Sequence, residues 1–385
     1  MKEYSTANVR NIVLASHSNS GKTMLVENLL NFTGGTTRIG KIEDGTTVSD
    51  FDDEEQRRGI SLFTSVIPVF YKDLKINLLD TPGYTDFIGE VVSAMRVADS
   101  AIILVESTAG MEVGTEVALT EAARFNLPKI IVINKMDREN ANFKKAFDSV
   151  QSEIDDRMIL MQLPWGERTE FQGVIDLITM KAYKGDGKTV EEIPDAYKAE
   201  AEEARMKLIE AAAEGDDALL EKYFENGDLT SEEALEGLKK AMQNSNIIPV
   251  MVGAYGRMIG VQSLLDSIVS LAPAPNERPA VKATTPKGEI TLECSDAGPL
   301  AAYVWKTTAD PFVGRQTFFK VYSGVMTSDV RVWNSTKGEE ERLASMQVPF
   351  GKDNQSVSVI HAGDIGTVAK LSLTTTGDTL TTKEN

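Results

Sequence analysis

Asn11-Ile-Val-Leu-Ala-Ser-His-Ser-Asn-Ser-Gly-Lys-Thr23 decides how the rest of this 385-residue chain is read. Residues 12–15 are an apolar run suited to a buried strand, a loop of small residues follows, and Gly21-Lys22-Thr23 opens a helix. Strand, small-residue loop and helix in this order have the shape of a phosphate-binding loop. Backbone N–H groups of Ser18, Asn19, Ser20, Gly21, Lys22, Thr23 and Met24 point into one concavity, where the helix dipole also favours negative charge. Lys22 supplies a mobile cation for the outer phosphates, and the Thr23 hydroxyl is placed to ligate a magnesium ion. Ser16 departs from the pattern, which begins with Gly.

Length and composition bound the rest. Two or three domains are expected at this size. With 42% hydrophobic and 25% charged residues, the chain can bury a large core. No apolar run approaches the roughly 18 to 20 residues that span a bilayer. Met1-Lys2-Glu3-Tyr4 has no signal-peptide character, so no membrane association is expected. Cys294 is the only cysteine, which excludes an intrachain disulfide and points to a reducing, cytoplasmic compartment. A formal net charge of −18 argues against wholesale nucleic-acid wrapping. That charge is uneven: residues 186–240 hold 17 Asp/Glu against 7 Lys/Arg, the pattern of solvated amphipathic helices or of a docking face.

Leu25, Val26, Leu29 and Leu30 recur at helical spacing, so the helix after the loop packs one face on a sheet. Residues 33–59, with Gly34, Gly35, Gly40, Gly45 and the charged run 52–58, offer little to bury and read as a mobile loop ending in Arg58-Gly-Ile-Ser61. A strand-like run to Phe70 and a strand over 75–79 follow, the second leading into Asp80-Thr-Pro-Gly-Tyr84. An aspartate directly after an apolar strand is where a magnesium-associated carboxylate belongs, and Gly83 can set its N–H against a terminal phosphate with no side chain in the way. A helix (87–95), a strand (101–105), a helix (114–126) and a strand (129–133) come next. This alternation indicates a parallel sheet covered on both faces, with its ligand at the C-terminal strand edge.

Asn134-Lys-Met-Asp137 lies at that edge and selects the base. The Asp137 carboxylate can accept hydrogen bonds from guanine N1–H and the 2-amino group, both absent from adenine, a mismatch worth roughly 10⁴-fold or more. The Lys135 stem can lie over the base, and Asn134 can tie this loop to the phosphate loop. Gly253-Ala254-Tyr255, after the apolar strand 246–252, is a fifth element expected to close over the guanine with backbone N–H groups. Residues 155–245 interrupt the sheet with strand-like segments (171–180) and acidic helices. A helix (261–271) and the linker Ala272-Pro-Ala-Pro-Asn-Glu-Arg-Pro279 follow. Short alternating runs over 280–385, broken by Gly, Asp and Thr, predict an antiparallel β-barrel.

Together these residues resemble the elongation factor G family of translational GTPases, over the whole chain. Ser16-His-Ser-Asn-Ser-Gly-Lys-Thr23 resembles its phosphate loop, Arg58-Gly-Ile-Ser61 the end of its first switch, Asp80-Thr-Pro-Gly-Tyr84 the start of its second, and Asn134-Lys-Met-Asp137 its guanine motif. Gln162-Leu-Pro164 and Phe171-Gln-Gly-Val-Ile-Asp176 resemble its inserted subdomain. Asp310-Pro-Phe-Val-Gly314, Val321-Tyr-Ser-Gly324, Ala362-Gly-Asp-Ile365 and Thr376-Gly-Asp-Thr379 resemble its second domain. The resemblance implies an α/β fold: a P-loop NTPase G domain (1–154 and 246–272) with an inserted α+β G-prime subdomain (155–245), then an antiparallel β-barrel domain (273–385). It also implies GTP and GDP as ligands and Mg2+ held by Thr23, Ser61 and, through water, Asp80. Catalysis would rest on Lys22, Gly83 and a water beside Tyr84. The partner would be the ribosome, through its rRNA and stalk proteins, and the protein a monomer. Family members continue into three further domains, so an N-terminal fragment of a longer protein is expected.

The departures from the family cluster where hydrolysis occurs. Tyr84 stands where the family has a water-orienting His, and a phenol cannot become a cation near neutral pH. Ser61 replaces a Thr but keeps the ligand oxygen. Asn19 replaces an Asp that holds a monovalent cation, and Ser18 replaces an apolar residue that gates the catalytic water with Ile60. A branch of elongation-factor-G-like paralogues also carries Tyr at the first of these positions, and the chain resembles that branch. His17 matches a family His, with a loop-orienting hydrogen bond as its plain reading. Two functions stay open: a ribosome-acting GTPase, or a GTP-binding regulator or rescue factor with little hydrolysis.

Overall fold

Eight consecutive buried residues, Val9–Ser16, form β1, an inner strand of the first sheet. The computed structural model describes residues 2–154, 157–185, 187–286, 288–310 and 314–383. After β1 come α1 (Lys22–Phe32), α2 (Asp53–Arg58), β2 (Ser65–Tyr71), β3 (Leu74–Asp80), α3 (Ile88–Val97), β4 (Ser100–Glu106), α4 (Val113–Arg124), β5 (Lys129–Asn134), α5 (Phe143–Gln151) and β6 (Arg157–Leu160). An insert carries β7 (Gln162–Trp165), β8 (Gly173–Asp176), β9 (Lys181–Lys184), β10 (Val190–Glu191), α6 (Asp195–Ala213), α7 (Asp217–Asn226) and α8 (Ser231–Gln243). β11 (Ile247–Val252) and α9 (Val261–Leu271) return to the main body.

The seven-stranded sheet has the order β2-β3-β1-β4-β5-β11-β6. Alternate residues of β1 serve its two faces. Ile12 and Leu14 pack with Leu25, Val26 and Leu29 of α1 and with Leu264 and Ile268 of α9. Val13 and Ala15 pack with Val91 and Met95 of α3, Leu119 of α4 and Val150 of α5. Six strands are parallel, but β2 runs antiparallel to β3, against the expectation of an all-parallel sheet. Lys72 and Asp73 join the two strands, both at positive φ (45° and 62°), and a two-residue turn can connect only antiparallel neighbours. A second correction concerns the insert. Residues 157–160, expected to belong to it, form β6 and pair in parallel with β11. The insert's own sheet, β10-β9-β8-β7, is antiparallel and is accompanied by three helices.

The C-terminal region is built from antiparallel strands, as its alternating pattern predicts. A hairpin (Val281–Thr285 with Gly288–Leu292) precedes an eight-stranded sheet whose central pair is Ala301–Asp310 and Gly314–Ser323. Ala302, Val304, Phe319, Val321 and Val368 fill its core. Pro311, Phe312 and Val313 of the motif at 310–314 lie outside the described residues. Among the described residues, no helix is long and apolar enough to cross a membrane.

Candidate nucleotide site

β1 ends at Ser16 and α1 starts at Lys22, so the phosphate loop is short and tightly folded. Asn19 (φ 60°) and Gly21 (φ 101°) turn the chain through the left-handed region. A Cβ on Gly21 would stand 2.6 Å from Asn134 Nδ2, so this position has no room for a side chain. Ser18 is half-buried, Asn19 exposed, Ser20 buried, and Met24 half-buried in the first turn of α1. The Ser20 hydroxyl donates to the His17 carbonyl at 3.0 Å. His17 Nδ1 accepts from Gly114 N at 3.2 Å, and its Nε2 lies 3.5 Å from Glu112, so His17 braces the loop against the start of α4.

Lys22 is buried and donates to Ser16 Oγ (2.9 Å) and the His17 carbonyl (3.1 Å). The departure at Ser16 therefore has a consequence: its hydroxyl is an additional resting partner for the phosphate-binding lysine. A Cβ on Gly83 would fall 2.6 Å from Lys22 Nζ and 2.7 Å from Ser18 Cα, which fixes how closely the second switch segment approaches the loop.

The three expected metal ligands converge. Thr23 Oγ1 donates to Asp80 Oδ2 at 3.0 Å and lies 3.4 Å from Ser61 Oγ. Asp80 Oδ1 is buried without a hydrogen-bond partner among the described residues, with the equally buried Ser49 hydroxyl acting on the same carboxylate. Two hydroxyls and a carboxylate are the hard oxygen set that suits Mg2+. Burial pushes the Asp80 carboxyl up to about 7, with Asp50 adding to the rise and Lys22 opposing it. Burial brings Lys22 down to about 8 against the pull of Asp80 and Asp50. Both displacements mark a pocket that holds charged groups out of water.

The base end is held by Asn134. Its Nδ2 donates to the Ser20 carbonyl at 2.9 Å, and its Oδ1 accepts from Lys135 N (2.7 Å) and Tyr255 N (3.2 Å). One side chain thus joins the phosphate loop, the guanine motif and the fifth element. Lys135 turns at φ 63° and pairs with Glu106 at 2.8 Å. Asp137 is half-exposed at the strand edge. The fifth element differs from expectation. Gly253 N is engaged by Ile133 O, Ala254 N by Ile259 O and Tyr255 N by Asn134 Oδ1, and the Tyr255 ring is fully buried. These N–H groups are engaged within the protein, where β11 continues in register with β5 up to Val252.

Sequence reasoning missed Asp50, a buried carboxylate beside Ser61 and Lys22, and Glu106, which positions Lys135. Asp50 sits in a Gly-rich charged run with no spacing signal. Glu106 ends an apolar strand in the way Asp80 does, which was a readable hint. Tyr84 lies at the rim, 38% exposed, ahead of α3.

Two family models and a solved structure match this chain. The family model described as the elongation factor Tu GTP binding domain matches residues 7–274, and that of elongation factor G domain 2 matches residues 299–383. A crystal structure of a protein from Thermus thermophilus superposes with a TM-score of 0.87 at 32% sequence identity. The match covers 98% of this chain and 55% of that one, so the chain spans about half the length of the protein it matches. The two matched domains stand in the same order as the nucleotide-site sheet and the antiparallel region, and on that ground the chain belongs to the translational GTPases of the elongation factor G family.

Proposed function

We propose that the protein is a ribosome-associated translation factor that binds GTP and hydrolyses it to GDP and phosphate with Mg2+. The observation that carries this reading is the convergence of Lys22, Thr23, Ser61 and Asp80 in one buried pocket, with Asp80 Oδ1 unpartnered. Thr23, Ser61 and Asp80 hold the magnesium ion, which supplies charge neutralisation at the outer phosphates. Lys22 leaves Ser16 for the phosphate oxygens. Gly83 brings its N–H to the terminal phosphate. Asp137 accepts from the guanine edge while Asn134 keeps the loops in register. Tyr84 stands where an attacking water would be oriented. Release of the terminal phosphate then frees both switch segments.

A second reading, a GTP-dependent ribosome regulator with little hydrolysis, is favoured by Tyr84 itself. A neutral, 38% exposed phenol offers one hydrogen bond and no positive charge to the transition state. Single-turnover GTP hydrolysis by the full-length protein, with and without ribosomes, separates the two. Ribosome-stimulated hydrolysis by the wild type is the expected result. Tight GTP-dependent ribosome binding without hydrolysis, with activity gained in Tyr84→His, would establish the regulator.

A further inference from the structure

Lys306, on the first long strand of the C-terminal region, does not follow the alternation of its strand. The pairing register of Ala301–Asp310 with Gly314–Ser323 shifts between Val304 and Lys306, and a bulge of this kind re-aims side chains. Val304, Trp305 and Lys306 are all buried as a result. Trp305 joins the core shared by α3 and α4, against Phe318 at 5.9 Å. Lys306 reaches the start of α3, at the junction of the two switch segments. Its ammonium donates to the Thr64 carbonyl at 2.8 Å and to Glu90 Oε2 at 2.9 Å. Glu90 Oε2 also accepts from Thr64 N at 2.7 Å, and the Glu90 carbonyl accepts from Thr64 Oγ1 at 3.2 Å. Lys306 lies 5.5 Å from the centre of the Phe63 ring, and Leu62 N and Phe63 N are held by the buried Glu55 of α2.

Residues 62–64 are thus gripped from three sides: α2, α3 and the C-terminal domain. Ser61, the metal ligand, is the next residue along the first segment. Glu90 sits in the first turn of α3, just after Gly83 and Tyr84. Lys306 and the Glu90 carboxylate neutralise each other in a site largely closed to water. Separating them leaves a buried cation with no counter-charge, so the contact is either made or the domain is unseated.

We infer that Lys306 is a positioning residue that couples the seating of the C-terminal domain to the ordering of both switch segments around the terminal phosphate. The inference rests on the nucleotide-switch reading above. Coupling is reciprocal: a nucleotide that orders Ser61 and Gly83 tightens the Lys306 contact, and loss of the contact weakens that nucleotide by the same factor. GDP, which lacks the phosphate that orders the switches, gains nothing from it.

The test compares affinities of the full chain for a non-hydrolysable GTP analogue and for GDP, together with tryptic cleavage after the exposed Arg57 and Arg58. Lys306→Met is expected to weaken the GTP analogue by about five- to tenfold, the low end of coupling between linked sites, with GDP within about twofold. Cleavage in the analogue-bound state should rise to the GDP-state rate. Lys320→Met, which removes a different ion pair of the domain boundary, at Val97 and Asp99 and away from residues 62–64, is expected to lower stability and leave the affinity ratio unchanged. A folded Lys306→Met protein with wild-type ratio and cleavage overturns the inference. If that variant does not fold, Glu90→Gln removes the charge partner from the other side: a reduced ratio supports the coupling and an unchanged one overturns it. A wild type that gives identical affinities and cleavage with both nucleotides overturns the switch reading, and the coupling with it.

Discussion

Base choice and charge balance are decided at single residues. In the proposed role Asp137 faces two donors on guanine with two acceptor oxygens, and an amide leaves one acceptor and sets its own NH2 against the other donor. Asp137→Asn is expected to weaken GTP by about 10⁴-fold and to favour xanthosine nucleotides, whose 2-oxo group suits the amide. Competition against a fluorescent GDP measures it, and unchanged GTP affinity contradicts the assignment. Lys22 gives a pH signature. In the nucleotide-free site burial holds it at about 8, and bound phosphates pull it back up. Below pH 8 the ammonium is already charged and affinity is flat with respect to it. Above pH 8 a proton must be taken up on binding, so affinity falls about tenfold per pH unit until the bound-state value is reached. Asp80 acts in the opposite sense: raised to about 7, it must lose a proton to hold magnesium, so Mg2+ dependence strengthens as pH rises towards 7. Nucleotide affinity with Mg2+ should therefore be highest near neutral pH and fall on either side, which a titration from about pH 5 to 10 reads directly. Asn134, Asp137, Lys22 and Asp80 were legible because their spacing from strand ends is fixed. Glu106 was hinted at by its place at a strand end, as Asp80 is, and Asp50 was not legible, because it acts on neighbours brought together only by folding.

At the scale of elements, the first switch segment shows what periodicity reading omits. Residues 33–59 were expected to be a loop, since they carry no apolar stripe, yet 53–58 form α2. Its determinants are local. Asp52 and Glu55 make a reciprocal capping box, and Gly59 closes the helix at φ 66°. Those signals were in the sequence as Asp-x-x-Glu and a following Gly, hidden in a charged run. The rest of the segment is held by a contact no local pattern encodes. Glu27, buried on α1, accepts from Gly40 N at 2.7 Å and Val48 N at 2.6 Å. Gly40 is needed there because a Cβ would lie 2.4 Å from the Thr46 carbonyl. Glu27→Ala leaves two N–H groups unmade at about 1–3 kcal/mol each, so hydrogen exchange at Gly40 and Val48 should accelerate while β1 and β4 stay protected. Asp52→Ala, removing the cap alone, should cost about 1 kcal/mol and loosen only α2. Equal protection in wild type and Glu27→Ala would mean the segment is ordered by something else.

The whole molecule is joined by buried lysines, which a sequence reads as surface charge. The order of a sheet domain followed by an antiparallel domain was legible from alternation and a Pro-rich linker, but not how the two lock together. Polar residues inside apolar strands, Asn11 in β1 and Asn77 in β3, were the available hint. Asn77 Nδ2 donates to Asn11 Oδ1 at 2.8 Å and Asp364 Oδ1 at 2.9 Å, and Asn11 Nδ2 donates to Asp99 Oδ2 and the Gly363 carbonyl, each at 2.6 Å. Lys75 places its ammonium between both oxygens of Asp364 at 2.8 and 2.7 Å, and Lys320 meets Asp99 at 2.7 Å. Lys75 with Asp364, Lys320 with Asp99 and Lys306 with Glu90 each pair across the domain boundary, so the network specifies one docking geometry. Its energetics follow from burial. Removing one partner strands the other in a dry site, whereas removing both removes the need for either. Lys75→Met is therefore expected to destabilise by about 3–5 kcal/mol, and Lys75→Met with Asp364→Leu to recover part of that loss. Asn77 keeps its bond to Asn11 in the double variant, but the Ile365 N–H and the second Asn77 hydrogen lose their acceptor on Asp364, which limits the recovery. Urea unfolding midpoints measure both. A double variant as unstable as the single one would mean that the two domains are held by geometry that this pair merely accompanies, and that the apolar contacts of Trp305 and Ile365 carry the docking instead.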